Sequence, residues 1–220
     1  MNYINLHTHR YSNRDDILEI VNQYPREFDA AIPHYSLGVH PWYIDKDQID
    51  ADLKIIESKL ELENCHAVGE CGLDKRIETP FDVQVDVFER QLILAENYKK
   101  PVIIHCVAAF QEVIEIKNRL EIKVPMIIHG FSKNEEIARQ LLNHGFYLSF
   151  GKYLLRNPEL ESIFKNVPDD RFFLETDTIE EGIRDVYFLA TKYRNMELEK
   201  LQNQMQRNFQ TVFFSTKSKN

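Results

Sequence analysis

The chain has 220 residues, of which 43% are hydrophobic and 28% charged, values typical of a folded globular protein and unlike those of disordered chains. The 35 acidic residues outnumber the 27 basic ones, and a formal net charge of −8 provides no general attraction to nucleic acid or anionic lipid. Three cysteines without a CxxC pair indicate neither a disulfide framework nor a thiolate zinc site.

The N-terminal residues lack the basic and then apolar arrangement of a signal peptide, and no apolar run is long enough to cross a membrane. We therefore expect a cytoplasmic protein without a membrane partner. No linker, repeat or low-complexity segment divides the sequence, which predicts a single domain over residues 1–220. No stable protein partner is indicated.

Short apolar runs alternate with longer segments of helical periodicity. Seven runs are predicted as strands: residues 3–9, 35–41, 66–74, 101–106, 125–131, 146–151 and 171–177. Between them, apolar residues three or four apart predict helices from Ile49 to Leu60 and from Val85 to Ala95. A last stripe from Leu198 to Phe213 predicts a closing helix packed on the body of the protein. The polar tail after Phe214 is expected to fray.

This alternation is typical of an α/β fold with a parallel sheet. Polar side chains come at the ends of many different strands. We predict a TIM-type (β/α) barrel, because such barrels assemble their sites from the carboxyl ends of many strands. A doubly wound open sheet is the alternative.

Six side chains that can bind a metal lie at the ends of these strands. His7 and His9 are two residues apart, so a strand directs both imidazoles to the same face. Each of the others closes an apolar run: Glu70, His105, His129 and Asp177. A core network of mutually satisfied groups is the alternative, but six converging ionisable groups are costly to desolvate without cations. Four histidines and two carboxylates can hold two divalent ions if one carboxylate bridges them, which suits hydrolysis.

The ordered segments LHTH, GVHP, GECGLD, PVIIHC, IIHGF and LETD resemble the TatD family of metal-dependent hydrolases. The resemblance implies a metallo-dependent hydrolase barrel that cleaves phosphodiester bonds in DNA, as a 3′-5′ exodeoxyribonuclease does. The ligand sets that it implies are His7, His9 and Asp177 for one ion, His105 and His129 for the second, and Glu70 as the bridge. The identity of the two ions stays open among Zn²⁺, Mg²⁺, Mn²⁺ and Fe²⁺.

Further roles are predicted around these ligands. Asp177 orients the attacking water or accepts its proton as general base. His40 contacts the substrate or acts as general acid, with a capped core histidine as the alternative. Asp74, four residues after Glu70, orients a ligand histidine, with an ordinary turn aspartate as the alternative. Trp42 either stacks on a base or is buried at a loop.

The chain also departs from the family's usual pattern. The segment between His9 and GVHP is short, so we expect one compressed βα unit and a barrel that is seven-stranded or distorted. The segments VAAF after Cys106 and TIEEGI after Asp177 replace family segments that carry candidate phosphate contacts. Two other hypotheses therefore stay open: an amidohydrolase-like enzyme acting on a small-molecule ester or amide, and a metal-binding scaffold without catalysis.

Overall fold

The computed structural model describes residues 2–214, so the tail for which fraying is predicted lies outside the described residues. The strands in this range are β1 (Tyr3–Thr8), β2 (Ile17–Gln23), β3 (Tyr35–Leu37), β4 (Cys65–Asp74), β5 (Val102–Val107), β6 (Met126–Ile128), β7 (Tyr147–Phe150) and β8 (Phe172–Leu174). The helices are α1 (Ile49–Leu60), α2 (Phe81–Asn97), α3 (Phe110–Arg119), α4 (Glu135–Asn143), α5 (Lys152–Arg156), α6 (Leu160–Asn166), α7 (Ile183–Arg194) and α8 (Leu198–Phe214). Among these helices, none combines the length and the apolar character needed to cross a bilayer.

The strands follow their chain order in one sheet. The pairs β2/β3, β3/β4, β4/β5 and β7/β8 are parallel. This order is that of a TIM-type (β/α) barrel, and it excludes the doubly wound alternative, in which the strand order reverses at a switch point. Two compact units make up the chain: one runs to Ile20 and resumes at Ile128, and the other is Val21–Ile127.

In the Val21–Ile127 unit, β4 is buried along its whole length and pairs with β3 and β5. Its register with β5 shifts between Val68 and Cys71, where the buried Glu70 lies. Gly72 has a φ of +149°, and a Cβ there would lie 1.9 Å from the carbonyl oxygen of His105. Only glycine permits β5 to come this close, so Gly72 helps to bring His105 beside Glu70.

In the other unit, α7 and α8 pack against β1 and β8. The Tyr187 hydroxyl accepts from the Ile4 N–H and donates to the Ile4 carbonyl, both at 3.1 Å. The predicted closing helix is confirmed as α8, whose apolar stripe is buried from Leu201 to Phe213, while Leu198 at its first position is exposed. From the same helix, the Asn208 amide donates to the Phe172 carbonyl oxygen at 2.9 Å, which fixes α8 to β8.

The expectation of a seven-stranded barrel is wrong, since the described residues form eight strands. The strand that the sequence analysis missed is β2, whose apolar pattern is interrupted by Glu19 and Asn22. Both side chains are buried and hydrogen-bonded, Glu19 to Ser12 and Asn22 to the Glu70 N–H. The segment keeps its strand, and only a short 3-10 helix, Pro25–Glu27, follows that strand, which agrees with the expected compressed βα unit.

Candidate metal centre

Each unit contains a cluster of three metal-capable side chains. The Val21–Ile127 unit brings together His40, Glu70 and His105, and the other unit brings together His7, His129 and Asp177. Within each cluster, one ligand atom from every side chain lies within 4.8 Å of the other two. Imidazole nitrogens and carboxylate oxygens are ligands that Zn²⁺ and Mn²⁺ accept, so the donor chemistry of both clusters fits a divalent cation.

His105 lies between two carboxylates. Its Nδ1 is 2.9 Å from Glu70 Oε1, and its Nε2 is 3.3 Å from Asp74 Oδ2. A neutral imidazole carries one proton, and a proton on Nε2 directed at Asp74 leaves a lone pair on Nδ1 facing Glu70. A lone pair and a carboxylate oxygen at this separation fit a shared cation, with Asp74 behind the ring as the orienting carboxylate.

Asp74 is held as an anion by its neighbours. Burial by itself would raise the pKa of Asp74, but hydrogen bonds from the Trp42 indole, the Arg76 backbone N–H and His105 outweigh it and lower that pKa. The indole and the backbone N–H each donate at 2.8 Å. Asp74 therefore lies where the predicted orienting role requires, and the role itself stays a prediction.

His40 is buried at the start of a short 3-10 helix, Pro41–Tyr43. Its Nδ1 accepts from the Trp42 backbone N–H at 3.1 Å, and its Nε2 lies 3.2 Å from Glu70 Oε1. Because Nδ1 accepts, the proton of the neutral ring is on Nε2 and faces Glu70. His40 thus caps a turn, as the alternative predicted, and also presents a proton inside the cluster. The Trp42 side chain is not buried at a loop: the residue is 56% exposed.

In the other unit, His7 and His9 both approach the carboxylate of Asp177. Their Nε2 atoms lie 3.8 and 3.5 Å from its Oδ1. The Asp177 backbone has a φ of 56° and its N–H donates to the His7 carbonyl at 2.9 Å, so β1 positions this carboxylate. The His129 ring centroid lies 4.5 Å from that of His7. His129 thus lies with His7 and Asp177 in this unit, and its grouping with His105, which the resemblance implies, stays a prediction.

Sequence reasoning missed Glu175. This fully buried carboxylate accepts from the Gly130 N–H at 2.8 Å, and the same oxygen lies 3.4 Å from His129 Nδ1. Burial alone would raise the pKa of Glu175, but His129 and the charge of His7 lower it. An anion on Nδ1 orients the ring and leaves its Nε2 for a ligand role. The signal was available in LETD, where Glu175 precedes Asp177 by two positions.

Asn22 was missed as well, because β2 was not predicted. Its side-chain oxygen accepts from the Glu70 backbone N–H at 2.6 Å. The contact holds the Glu70 backbone at the register shift of β4, so a residue of the compressed segment supports the central carboxylate of the cluster.

Comparison with known proteins agrees with the resemblance to the TatD family. The model of the family described as TatD related DNase matches residues 2–214. The metal-dependent hydrolase YabD of Bacillus subtilis is 33% identical over 165 residues, which cover 73% of this chain and 62% of that protein. The 3′-5′ ssDNA/RNA exonuclease TatD of Cronobacter turicensis is 34% identical over 151 residues, 64% of this chain and 55% of that one.

Among solved structures, the TatD homologue YJJV of Escherichia coli K12 superposes with a TM-score of 0.82 at 20% identity. The superposition covers 96% of this chain and 98% of that one, which confirms the TIM-type barrel fold. The matches to the curated relatives above extend over only 55 to 62% of their lengths.

Proposed function

Since the chain belongs to the family of TatD-related DNases, we propose that it is a divalent-metal-dependent hydrolase that removes nucleotides from the ends of nucleic acid strands. The observation that carries the proposal is the presence, in each unit, of a cluster of histidines and a carboxylate whose donor chemistry fits a divalent ion. The name of the Cronobacter turicensis relative supports single-stranded DNA or RNA as substrate and a 3′-5′ direction.

We carry the ligand sets implied by the resemblance into the proposal: His7, His9 and Asp177 for one ion, His105 and His129 for the second, and Glu70 shared by both. Two divalent ions, when bound, lower the pKa of a coordinated water and stabilise negative charge on the phosphoryl oxygens. Behind these ligands, Asp74 and Glu175 hold the rings of His105 and His129 in place.

The chain's own groups position the attacking water and the leaving oxygen. Asp177, whose side chain is 20% exposed, accepts a proton from the water that attacks phosphorus. As the phosphorus–oxygen bond breaks, the neutral His40 ring contacts the leaving oxygen by donating a hydrogen bond from Nε2, where the cap from the Trp42 N–H keeps the ring proton, and the leaving oxygen takes its own proton from solvent. Glu70, 3.2 Å from that nitrogen, keeps the His40 ring aligned between turnovers.

The test is cleavage of single-stranded DNA and RNA labelled at either end, with Mg²⁺, Mn²⁺ and Zn²⁺ supplied in parallel. We expect metal-dependent shortening from the 3′ end by the wild type and its loss in Glu70→Ala and in Asp177→Asn. Glu57→Ala and Asp47→Asn are matched controls, since both carboxylates are exposed and outside the clusters. The metal content of every variant is measured as well. An inactive variant that has lost metal has lost a ligand, whereas an inactive variant that keeps its metal has lost proton transfer.

Other outcomes would favour the competing hypotheses. A metal-loaded wild type that leaves nucleic acids intact but hydrolyses small esters or amides would indicate an amidohydrolase-like enzyme. Full metal occupancy without turnover on either panel would indicate a metal-binding scaffold. Cleavage that persists in Glu70→Ala would refute the ligand assignment.

A further inference from the structure

A cavity of about 600 Å³ opens beside His40 in the Val21–Ile127 unit. Its volume lies in the range of small-molecule sites. The walls include three aromatic residues, Tyr24, Trp42 and Tyr43, of which Trp42 is 56% and Tyr43 52% exposed. Large aromatic faces left open to solvent inside a cavity are suited to stacking a planar ring.

The charges that line this cavity argue against a phosphate. The lining contains one guanidinium, that of Arg26, and three carboxylates, those of Glu27, Asp45 and Asp52. Arg26 is already engaged, since it lies 3.5 Å from Asp45 and 3.1 Å from Asp52 and donates to the Tyr43 carbonyl. The cavity therefore offers hydrogen-bond acceptors to its occupant and repels anions.

Asp52 provides an independent indication of a ligand with donor groups. The residue is 2% exposed, and its Oδ1 has no hydrogen-bond partner within residues 2–214, while Oδ2 faces Arg26. A buried acceptor left without a donor is costly, so a donor from a ligand would be favoured there. Burial raises the pKa of Asp52 despite the Arg26 charge, as expected for a carboxylate whose solvation is incomplete.

We propose that this cavity is a subsite for the base of the terminal nucleotide, which stacks on Tyr43 and Trp42 and directs an exocyclic amino group to Asp52. His40 belongs both to the wall of the cavity and to the cluster with Glu70 and His105. A base in the cavity is thereby joined through its sugar to a phosphate at the cluster. Cytosine, adenine and guanine carry an exocyclic amino group and thymine does not, so the subsite prefers the first three over thymine.

The experiment uses Trp42, the one tryptophan of the chain, as a fluorescence reporter. The metal-free protein in chelator is titrated with deoxycytidine, thymidine and 2-deoxyribose 5-phosphate. We expect saturable quenching by deoxycytidine, weaker quenching by thymidine and none by the sugar phosphate. Tyr43→Leu should raise the dissociation constant of deoxycytidine at least fivefold, because one stacking face is lost.

Each test variant has a control with the same type of substitution: Phe188→Leu for Tyr43→Leu, and Asp50→Asn for Asp52→Asn. Phe188→Leu removes an aromatic side chain that is 70% exposed on α7 and does not line the cavity, and we expect unchanged binding. Asp52→Asn should abolish the preference for deoxycytidine over thymidine. Asp50→Asn, an exposed carboxylate in the same turn of α1, should preserve that preference.

The inference rests on the proposed function, but the two can fail separately. Absence of saturable quenching by either nucleoside, equal quenching by the sugar phosphate, or an unchanged affinity in Tyr43→Leu would overturn the base subsite. These results need neither metal nor turnover, so nuclease activity could still be present. Saturable nucleoside binding in a protein that cleaves no nucleic acid would support the subsite and reject the nuclease.

Discussion

Replacing Asp74 with asparagine should weaken metal binding at His105 while the fold persists. The carboxylate accepts from the Arg76 N–H through Oδ1, and its Oδ2 accepts from the Trp42 indole and faces His105 Nε2. Asparagine keeps only one of these two oxygens. If that oxygen stays on Arg76, the new amide group faces the indole N–H, and if the side chain flips, it faces the Arg76 N–H. In both orientations a donor meets a donor.

The magnitude follows from what happens to the His105 proton. With an amide N–H directed at Nε2, the neutral ring carries its proton on Nδ1, where it faces Glu70 and occupies the lone pair that a metal needs. Losing the carboxylate behind a ligand histidine lowers metal affinity about 10- to 100-fold, or ~1.4 to 2.7 kcal/mol. We expect a loss in that range for the ion that His105 binds.

Calorimetric titration of the metal-free protein with Mn²⁺ and Zn²⁺ measures this loss directly. Asp47→Asn makes the same change of charge at an exposed position outside both clusters and serves as the control. Thermal unfolding of the metal-free variants checks that each is folded. Equal affinities for wild type and Asp74→Asn would refute the orienting role and favour an ordinary turn aspartate.

Three further predictions concern stability and reactivity. Tyr187→Phe deletes the hydroxyl that bonds both backbone groups of Ile4, and urea unfolding should show a loss of about 1–3 kcal/mol; an unchanged midpoint would contradict the anchoring of β1. The Arg184 guanidinium holds the pKa of Asp16 below its ordinary value of 3.8, so this contribution to stability is present above that pH and disappears on acidification. In unfolding curves at several pH values, the free energy of unfolding of the wild type should therefore exceed that of Asp16→Asn above pH 3.8, and the difference should vanish as the pH falls further. A difference that does not change with pH would exclude a stabilising ion pair between Asp16 and Arg184. Burial raises the pKa of the Cys65 thiol to about 11, so a thiol reagent should modify it at neutral pH only after unfolding, which mass spectrometry of native and denatured samples would reveal.

Most of the candidate ligands could be identified from the sequence because the signal for each is local. An apolar run followed by a histidine marks the carboxyl-terminal part of a strand: His105 lies in the second half of β5, and His129 directly follows β6. The spacing of His7 and His9 marks a shared face. β2 was not predicted, because its local sequence lacks such a signal. Glu19 and Asn22 disrupt its apolar pattern, and the hydrogen-bond partners of these two buried side chains are supplied by other segments of the chain.

The sequence by itself determined the alternation of strands and helices, the family and the residue types available as metal ligands, since each of these is encoded in short segments and their order. Only the tertiary structure decided which groups support those ligands. Asp74 and Trp42 are 32 positions apart in the chain, and Glu175 and Gly130 are 45 apart. Such contacts form where parallel strands end side by side, and burial then makes each hydrogen bond obligatory. The acceptors around the cavity beside His40 have the same origin, because the fold brings Arg26 and Asp52 together from separate segments.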